Sequence, residues 1–346
     1  METKRIFGLD LVRVIAILLV VMVHVFLHNG FYIYDLHGLE SFILLVIRNI
    51  CMACVPLFIL LTGYLKYNKK LNKDHYKSLT KILIVYFIIA IITVLFDIFY
   101  NHNNFNVYRH IFGIFNFSIN KYAWYIEMYI GLFLLIPFLN TIYHGLNTKK
   151  NKLILIGTLL FLTSIPYTLD NISLDILPMY WKEIYILAYY FIGMYIREYK
   201  PTIKKIINVL LILLMSLIQT ISIFIFIYNK PIEGNLKLDY NSIFTVIISV
   251  LIFVLLYDIK TDKKVIKKPI EIISNTTLEI YLFSYIFDIV VYDYANRGII
   301  NIEENCYKSF ITNVPAVFVL SLIAGIILRY ILKFIKKIIE IIKNPN

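Results

Sequence analysis

The stretch FGLDLVRVIAILLVVMVHVFLH, Phe7 to His28, decides the fold of this chain. It is apolar and long enough to cross the hydrocarbon core of a bilayer as a helix, which takes about 20 residues. Before its last residue, His28, it nevertheless carries three ionisable residues, Asp10, Arg13 and His24. A charge at the centre of a membrane helix costs about 2.5–3.5 kcal/mol on insertion scales, so such residues usually mark a pathway or a site. The search for function therefore starts with these three residues.

The composition of the whole chain supports the membrane assignment. Of its 346 residues, 60% are hydrophobic, and the mean hydropathy is +0.76. A soluble domain is far more polar. The formal net charge is +12, but the lysines form short clusters between apolar segments, which argues against a nucleic-acid-binding surface. The sequence thus predicts a single integral-membrane domain over residues 1–346, with membrane lipids as partners and no nucleic acid.

Nine further apolar segments follow the first, so the predicted fold is all-α: a polytopic bundle of about ten transmembrane helices. The predicted spans are 6–28, 41–65, 80–100, 122–144, 153–169, 182–199, 205–228, 240–258, 270–293 and 310–332.

Lysine and arginine residues indicate the orientation of the bundle. Of the 34 in the chain, 25 lie at the N-terminus, in alternate loops and in the C-terminal tail, and only seven lie on the opposite face. Cytoplasmic loops carry an excess of these residues, so both termini are predicted to be cytoplasmic. We expect a multi-pass protein of the plasma membrane whose basic loops contact anionic headgroups.

Arg13 and His24 lie on one stripe of the first helix. At 100° per residue, eleven positions leave them about 20° apart around the axis, and at 1.5 Å per residue about 16 Å apart along it. Asp10 precedes Arg13 by three residues, close enough to pair with it. We therefore expect one protein-lined passage, with a cation in the cytoplasmic half and an imidazole, a suitable acid–base group near pH 7, in the outer half.

A purely structural interpretation of the same residues stays open. Arg13 can extend its stem along the helix to the membrane surface and pair with Asp10, which would orient the helix without any chemistry. His24 can satisfy a carbonyl of a neighbouring helix in the same way.

Several segments together resemble acyltransferase family 3, membrane proteins that O-acylate extracellular glycans. The first helix has an Arg followed, after ten residues, by a His, here Arg13 and His24. Residues 54–65, CVPLFILLTGYL, are similar to the family's second-helix pattern, with Thr62 in place of the usual Ser. Further similar segments are WYIEMYIGLFLLIPFLN (124–140), YYFIGMYIRE (189–198) and ISNTTLEIYLF (273–283).

The chain also departs from the family's pattern. Lys77 and Lys81 stand where the family has an Arg-rich pair entering the third helix, and Ser284 stands where a His is common. Arg48 lies about one turn before the place where many members carry an Arg. These departures indicate a divergent subgroup, so the donor and acceptor of other members are not carried over.

The resemblance implies transfer of an acetyl or succinyl group from cytoplasmic acyl-CoA to a hydroxyl of an extracellular or lipid-linked glycan. Acyl-CoA would be a co-substrate, with no bound cofactor and no metal. His24 would act as a general base or carry the acyl group covalently, and Asp10 would hold Arg13. The remaining candidates are Arg48 and Glu127 for catalysis, Arg13, Lys77 and Lys81 for donor binding, and Trp124 and Tyr125 for acceptor binding; Glu279 and Asp288 are further acids of lower priority.

Two other classes of function remain open. Ten spans with buried charges permit a transporter or export partner for a lipid-linked sugar or a small polar solute, although no pair of broken helices is visible in the sequence. A non-catalytic partner of a polysaccharide synthase would need neither Arg13 nor His24. The sequence carries no signal for the oligomeric state.

Overall fold

The computed structural model describes residues 5–170, 177–233, 240–295 and 302–343, and within these ranges the chain folds into helices joined by loops. In chain order the helices are α1 (Phe7–His28), α2 (Gly38–Cys51), α3 (Cys54–Lys66), α4 (Lys73–Phe99), a π-helical turn (Tyr108–Phe112) that continues as α5 (Gly113–Phe115), α6 (Trp124–Gly145), α7 (Lys149–Asp170), α8 (Met179–Lys182), α9 (Tyr185–Tyr199), α10 (Lys205–Ile227), α11 (Ile243–Leu256), α12 (Lys264–Asn275), α13 (Thr277–Ala295), α14 (Ile302–Ile311) and α15 (Asn313–Lys343).

The predicted all-α fold is confirmed, and seven helices of the described chain are long and apolar enough to cross a membrane: Phe7–His28, Gly38–Lys66, Lys73–Phe99, Trp124–Gly145, Lys149–Leu169, Lys205–Ile227 and Asn313–Ile338. Three other predicted spans form helices that are shorter, as α9 and α11 are, or more polar, as α13 is with Glu279, Asp288 and Asp293. The expected count of about ten crossings and the cytoplasmic position of the termini therefore stay predictions.

The second predicted span is broken into two helices. α2 ends at Cys51 and α3 begins at Cys54, with a turn at Met52 and Ala53 between them. Pro56 gives a physical reason, because proline has no N–H to donate and is tolerated in the first turn of a helix but not in its interior. Met52 and Ala53 keep right-handed helical backbone angles, so the turn is a local interruption of one helical segment, next to the cavity described below.

α1 lies at the centre of the bundle. It packs mainly against α3, α12 and α13, and also contacts α2, α11, α14 and α15. Val12, Ala16 and Ile17 are completely buried. The polar residues of α1 therefore face other helices rather than lipid, as Asp10 and His24 show by being only 1% and 6% exposed.

Two glycines allow α3 and α9 to cross at close range. A Cβ atom on Gly63 would lie 2.1 Å from the carbonyl oxygen of Tyr190, and one on Gly193 would lie 2.1 Å from the carbonyl oxygen of Leu60. Small residues at such crossings let helix backbones approach each other in membranes. This contact fixes α9, and with it Arg197, against α3.

An ion pair joins α13 to α15. The Nε of Arg329 donates to Oε1 of Glu279 at 2.7 Å, and Glu279 is buried. Gly325, one turn before Arg329, packs directly on Thr276 and Glu279. Glu279 is thus engaged in holding two helices together, on the side of α13 that faces α15.

Candidate functional site

His24 and Asp288 meet between α1 and α13. The Nδ1 atom of His24 lies 2.8 Å from Oδ2 of Asp288, and both side chains are buried. The hydroxyl of Tyr122 donates to the same carboxylate oxygen at 2.8 Å. A carboxylate only accepts hydrogen bonds, so this contact requires a proton on Nδ1 of His24, and in a neutral ring Nε2 then has the free lone pair. This is the tautomer that a general base needs.

His28 extends the same group one turn further along α1. Its Nε2 lies 2.8 Å from the hydroxyl oxygen of Tyr122 and 3.8 Å from Oδ2 of Asp288. Its ring stacks on Tyr292, with the centroids 4.8 Å apart, and the rings of Tyr122 and His24 are 3.9 Å apart. We call His24, His28, Tyr122 and Asp288 the His24 cluster. These contacts hold the imidazole of His24 in one orientation.

The His24 cluster borders a cavity of about 770 Å³, here called the His24 cavity. Arg48 lines this cavity although it is only 2% exposed; its Nε donates to the hydroxyl of Tyr32 at 3.2 Å. Trp124 lines the same wall and stacks on Tyr240 at 5.7 Å. A buried guanidinium and flat aromatic surfaces around a cavity of this size are features of binding sites for polar organic molecules.

A second polar group lies at the other end of α1. Asp10 accepts hydrogen bonds from Arg5 at 2.5 and 2.9 Å, from Arg13 at 2.9 Å and from Ser274 at 2.7 Å. The bond to Asp10 raises the pKa of the Arg5 guanidinium. Asp10 therefore positions two cations at once, and the predicted pairing of Asp10 with Arg13 is present.

Two cavities meet at Arg13. The Arg13 cavity, about 400 Å³, is also lined by Lys66 and Lys69, and the Arg197 cavity, about 660 Å³, is also lined by Arg5 and Arg197. The Arg197 guanidinium lies 5.0 Å from the centre of the Tyr64 ring and donates to its hydroxyl at 3.3 Å. Five cations thus surround two adjoining cavities, an arrangement that suits a phosphorylated ligand.

Three residues predicted for the site lie elsewhere. Lys77 and Lys81 are exposed on α4, where Lys77 is 3.5 Å from Asp74, and neither lines any of the three cavities. Glu127 is exposed as well. It follows Tyr125, which lines the Arg13 cavity, by two residues, so it points about 200° away around the helix.

The single passage expected from Arg13 to His24 is instead two cavities. Arg13 lines the Arg13 and Arg197 cavities, His24 lines the His24 cavity, and no described residue lines both the Arg13 and the His24 cavity. The sequence places both residues on one stripe, but the side chains that fill the space between them come from other helices. Tyr125, expected on the His24 side with Trp124, lies on the Arg13 side.

Three residues of the site have a weak signal or none in the sequence. Asp288 and Glu279 are both acids within a predicted span, so the sequence does not distinguish them. Only the packing of α13 shows that Asp288 faces α1 and Glu279 faces α15. Nothing in the sequence distinguishes Tyr122 among 28 tyrosines. Arg197 is one of many basic residues near the ends of predicted spans. Its position beside Tyr64 depends on the crossing of α3 and α9.

Comparison with known proteins gives one match. The family model of the acyltransferase family 3 type, described as an acyltransferase domain, matches residues 6–330, which is nearly the whole chain. No curated protein matches the chain, and no solved structure matches it.

Proposed function

The chain belongs to acyltransferase family 3, and from this premise we propose that it is a plasma-membrane O-acyltransferase. It moves an acyl group, acetyl or succinyl, from acyl-CoA to a hydroxyl of an extracellular or lipid-linked glycan. The observation that carries this proposal is the His24 cluster, a buried imidazole held by a carboxylate beside a cavity. The cations at the other end of α1 support the choice of donor.

The donor would bind at Arg13. Coenzyme A is anionic through its phosphates, and Arg13 and Arg197 offer guanidinium groups that can bind phosphate, while Arg5 is paired with Asp10 at the same cavity. The Arg13 cavity is lined largely by apolar and aromatic side chains beyond its lysines, which suits the slim pantetheine arm. This arm would direct the thioester toward the His24 cavity.

The acceptor hydroxyl would bind in the His24 cavity. His24 Nε2 takes the hydroxyl proton while the oxygen attacks the thioester carbonyl; the new C–O bond forms, the C–S bond breaks, and the proton passes to the sulfur of the leaving CoA. In the covalent alternative, Nε2 itself attacks the carbonyl and then delivers the acyl group to the hydroxyl. In both routes Asp288 stabilises the charge that His24 acquires.

Two further residues support this chemistry. Arg48 lines the His24 cavity, and a guanidinium there would stabilise the negative oxygen that develops on the carbonyl. Trp124, stacked on Tyr240, presents an aromatic surface on which a sugar ring packs.

The test is the ester content of the cell-surface glycans. Glycan NMR of cells carrying His24→Ala should show loss of the ester signals that the wild-type chain produces, with the variant still present in the membrane fraction. The matched control is His37→Ala, an exposed histidine outside the His24 cluster, which should keep the signals. Normal ester signals in His24→Ala would overturn the proposal.

One observation favours a second candidate, transport of a lipid-linked sugar or a small polar solute. The interruption between α2 and α3 lies beside the His24 cavity, which Met52 lines, and interrupted helices next to a cavity are a feature of transporter binding sites. Proteoliposomes distinguish the two candidates, because transport moves solute across the membrane without any acyl-CoA present.

A further inference from the structure

A thin wall separates the Arg13 cavity from the His24 cavity. On α1, Val20 lines the Arg13 cavity and Val23 lines the His24 cavity. On α13, Tyr281 lines the Arg13 cavity and Tyr285 lines the His24 cavity. The two cavities are thus separated by three or four residues along each helix, which is about 5–6 Å. We call the wall the septum: residues 20–23, 52–55, 124–125 and 281–285.

Aromatic rings fill the septum. The rings of Tyr125 and Tyr281 meet edge to face with centroids 5.6 Å apart, and Trp124 stacks on Tyr240 next to them. The thiol of Cys54 lies 4.0 Å from the hydroxyl oxygen of Tyr240. Every residue of the septum is uncharged.

The two central rings are held differently. The hydroxyl of Tyr281 donates to the backbone carbonyl of Tyr122, which anchors this ring to the His24 cluster. Within the described part of the chain, no hydrogen bond holds the hydroxyl of Tyr125. Tyr125 therefore lacks the kind of bond that anchors Tyr281, and packing against Phe58, Trp124 and Tyr129 holds its ring.

An acyl group must pass this septum before its carbonyl reaches the hydroxyl in the His24 cavity, because it forms the leading end of the thioester. A straight, neutral acyl chain is no wider than the pantetheine arm that follows it. A branched acyl group is wider, and a carboxylate would lose its hydration among neutral side chains. The septum thus opposes both branching and charge.

We propose that the septum, with Tyr125 among its rings, selects the acyl group and admits unbranched neutral groups such as acetyl in preference to succinyl or branched ones. This inference rests on the proposed function, and it decides between the acyl groups that the function leaves open. Tyr125 acts here as a specificity-determining residue rather than as part of the acceptor site.

The experiment measures transfer of labelled acyl groups from acetyl-, isobutyryl- and succinyl-CoA to alkali-labile envelope material in membrane vesicles. The wild-type chain should transfer acetyl at least about 10- to 200-fold faster than isobutyryl, because isobutyryl has two more carbons and one extra methylene group at a tight site already costs that factor. It should transfer acetyl roughly 100-fold faster than succinyl, as expected for a charge in an apolar passage.

Tyr125→Leu widens the septum without adding charge. It should reduce the preference for acetyl over isobutyryl at least about tenfold and leave the preference over succinyl in place. The matched control, Tyr108→Leu, changes an exposed ring that lines none of the three cavities, and it should keep the wild-type ratios. Size-exclusion chromatography in detergent and CoA binding by calorimetry report whether each variant is folded.

The outcomes separate the two proposals. The proposal that the septum selects the acyl group is overturned if the wild-type chain transfers acetyl and succinyl equally. It is also overturned if folded Tyr125→Leu keeps the wild-type ratio of acetyl to isobutyryl transfer. Either result leaves the acyltransferase proposal intact. Absence of transfer from all three thioesters overturns the acyltransferase itself. If Tyr125→Leu does not fold, the wild-type series alone decides whether the septum discriminates.

Discussion

The Nδ1 atom of His24 lies 2.8 Å from Oδ2 of Asp288, although 264 residues separate the two in the sequence. The contact joins the first helix of the bundle to α13, and Tyr122 of the loop before α6 donates to the same oxygen. One carboxylate therefore contacts the histidine and joins three segments of the chain.

Asp288→Asn should lower ester formation on the surface glycan by about 10²- to 10⁴-fold, the usual range for general acid–base catalysis. An amide presents an N–H donor to Nδ1 of His24, which favours the tautomer with the proton on Nε2 and removes the base. Glycan NMR measures the effect. Asp293→Asn, an exposed acid on the same helix, is the matched control and should keep normal ester content; equal ester content in both variants would show that Asp288 only supports the fold.

Arg197→Gln should weaken binding of CoA by roughly 10- to 100-fold, since a charge-assisted hydrogen bond contributes about 1.5–3 kcal/mol. Lys77→Gln, which removes an exposed cation remote from the cavities, should leave the dissociation constant unchanged. Isothermal titration calorimetry on the purified protein in detergent measures both. The reverse order of effects would favour Lys77, the donor residue expected from the sequence, over the Arg197 cavity.

Gly193→Ala should lower stability by about 1–3 kcal/mol, because the added methyl group meets the carbonyl of Leu60 and forces α3 and α9 apart. Gly131→Ala provides the matched control, since a Cβ atom there has no neighbour within 4 Å. Thermal unfolding in detergent, followed by loss of the monodisperse size-exclusion peak, compares the two. A Gly193→Ala variant as stable as Gly131→Ala would mean that the helices do not cross this closely.

Glu279→Gln should lower thermal stability by about 1–2 kcal/mol through loss of its bond to Arg329, and should leave the ester content per folded molecule unchanged. Arg329→Gln should have a similar effect. The double variant should lose less stability than the sum of the losses in the two single variants, with a coupling energy of at least about 0.5 kcal/mol. Loss of esters in stable Glu279→Gln would instead give this acid a catalytic role.

Much of the site was accessible from the sequence where the argument depended on a single helix. The pairing of Asp10 with Arg13 follows from their spacing of three residues, and the structure contains it. The direction in which Glu127 points depends on the rotation of α6 in the bundle, which the sequence does not determine. Lys77 and Lys81 were chosen by analogy of position, whereas the cations around Arg13 come from the segment before α1 and from α3, the loop after it, and α9.

The sequence by itself determined that the chain is a helical membrane protein and that Arg13 and His24 share one stripe of α1. Hydropathy and helical periodicity act over neighbouring residues, so neither conclusion needs a long-range contact. Only the tertiary structure decided that Asp288 holds His24, that Arg197 joins the basic cavity and that aromatic rings divide the space between them. These features depend on how distant helices rotate and pack, which close contacts such as the one between Gly193 and Leu60 impose.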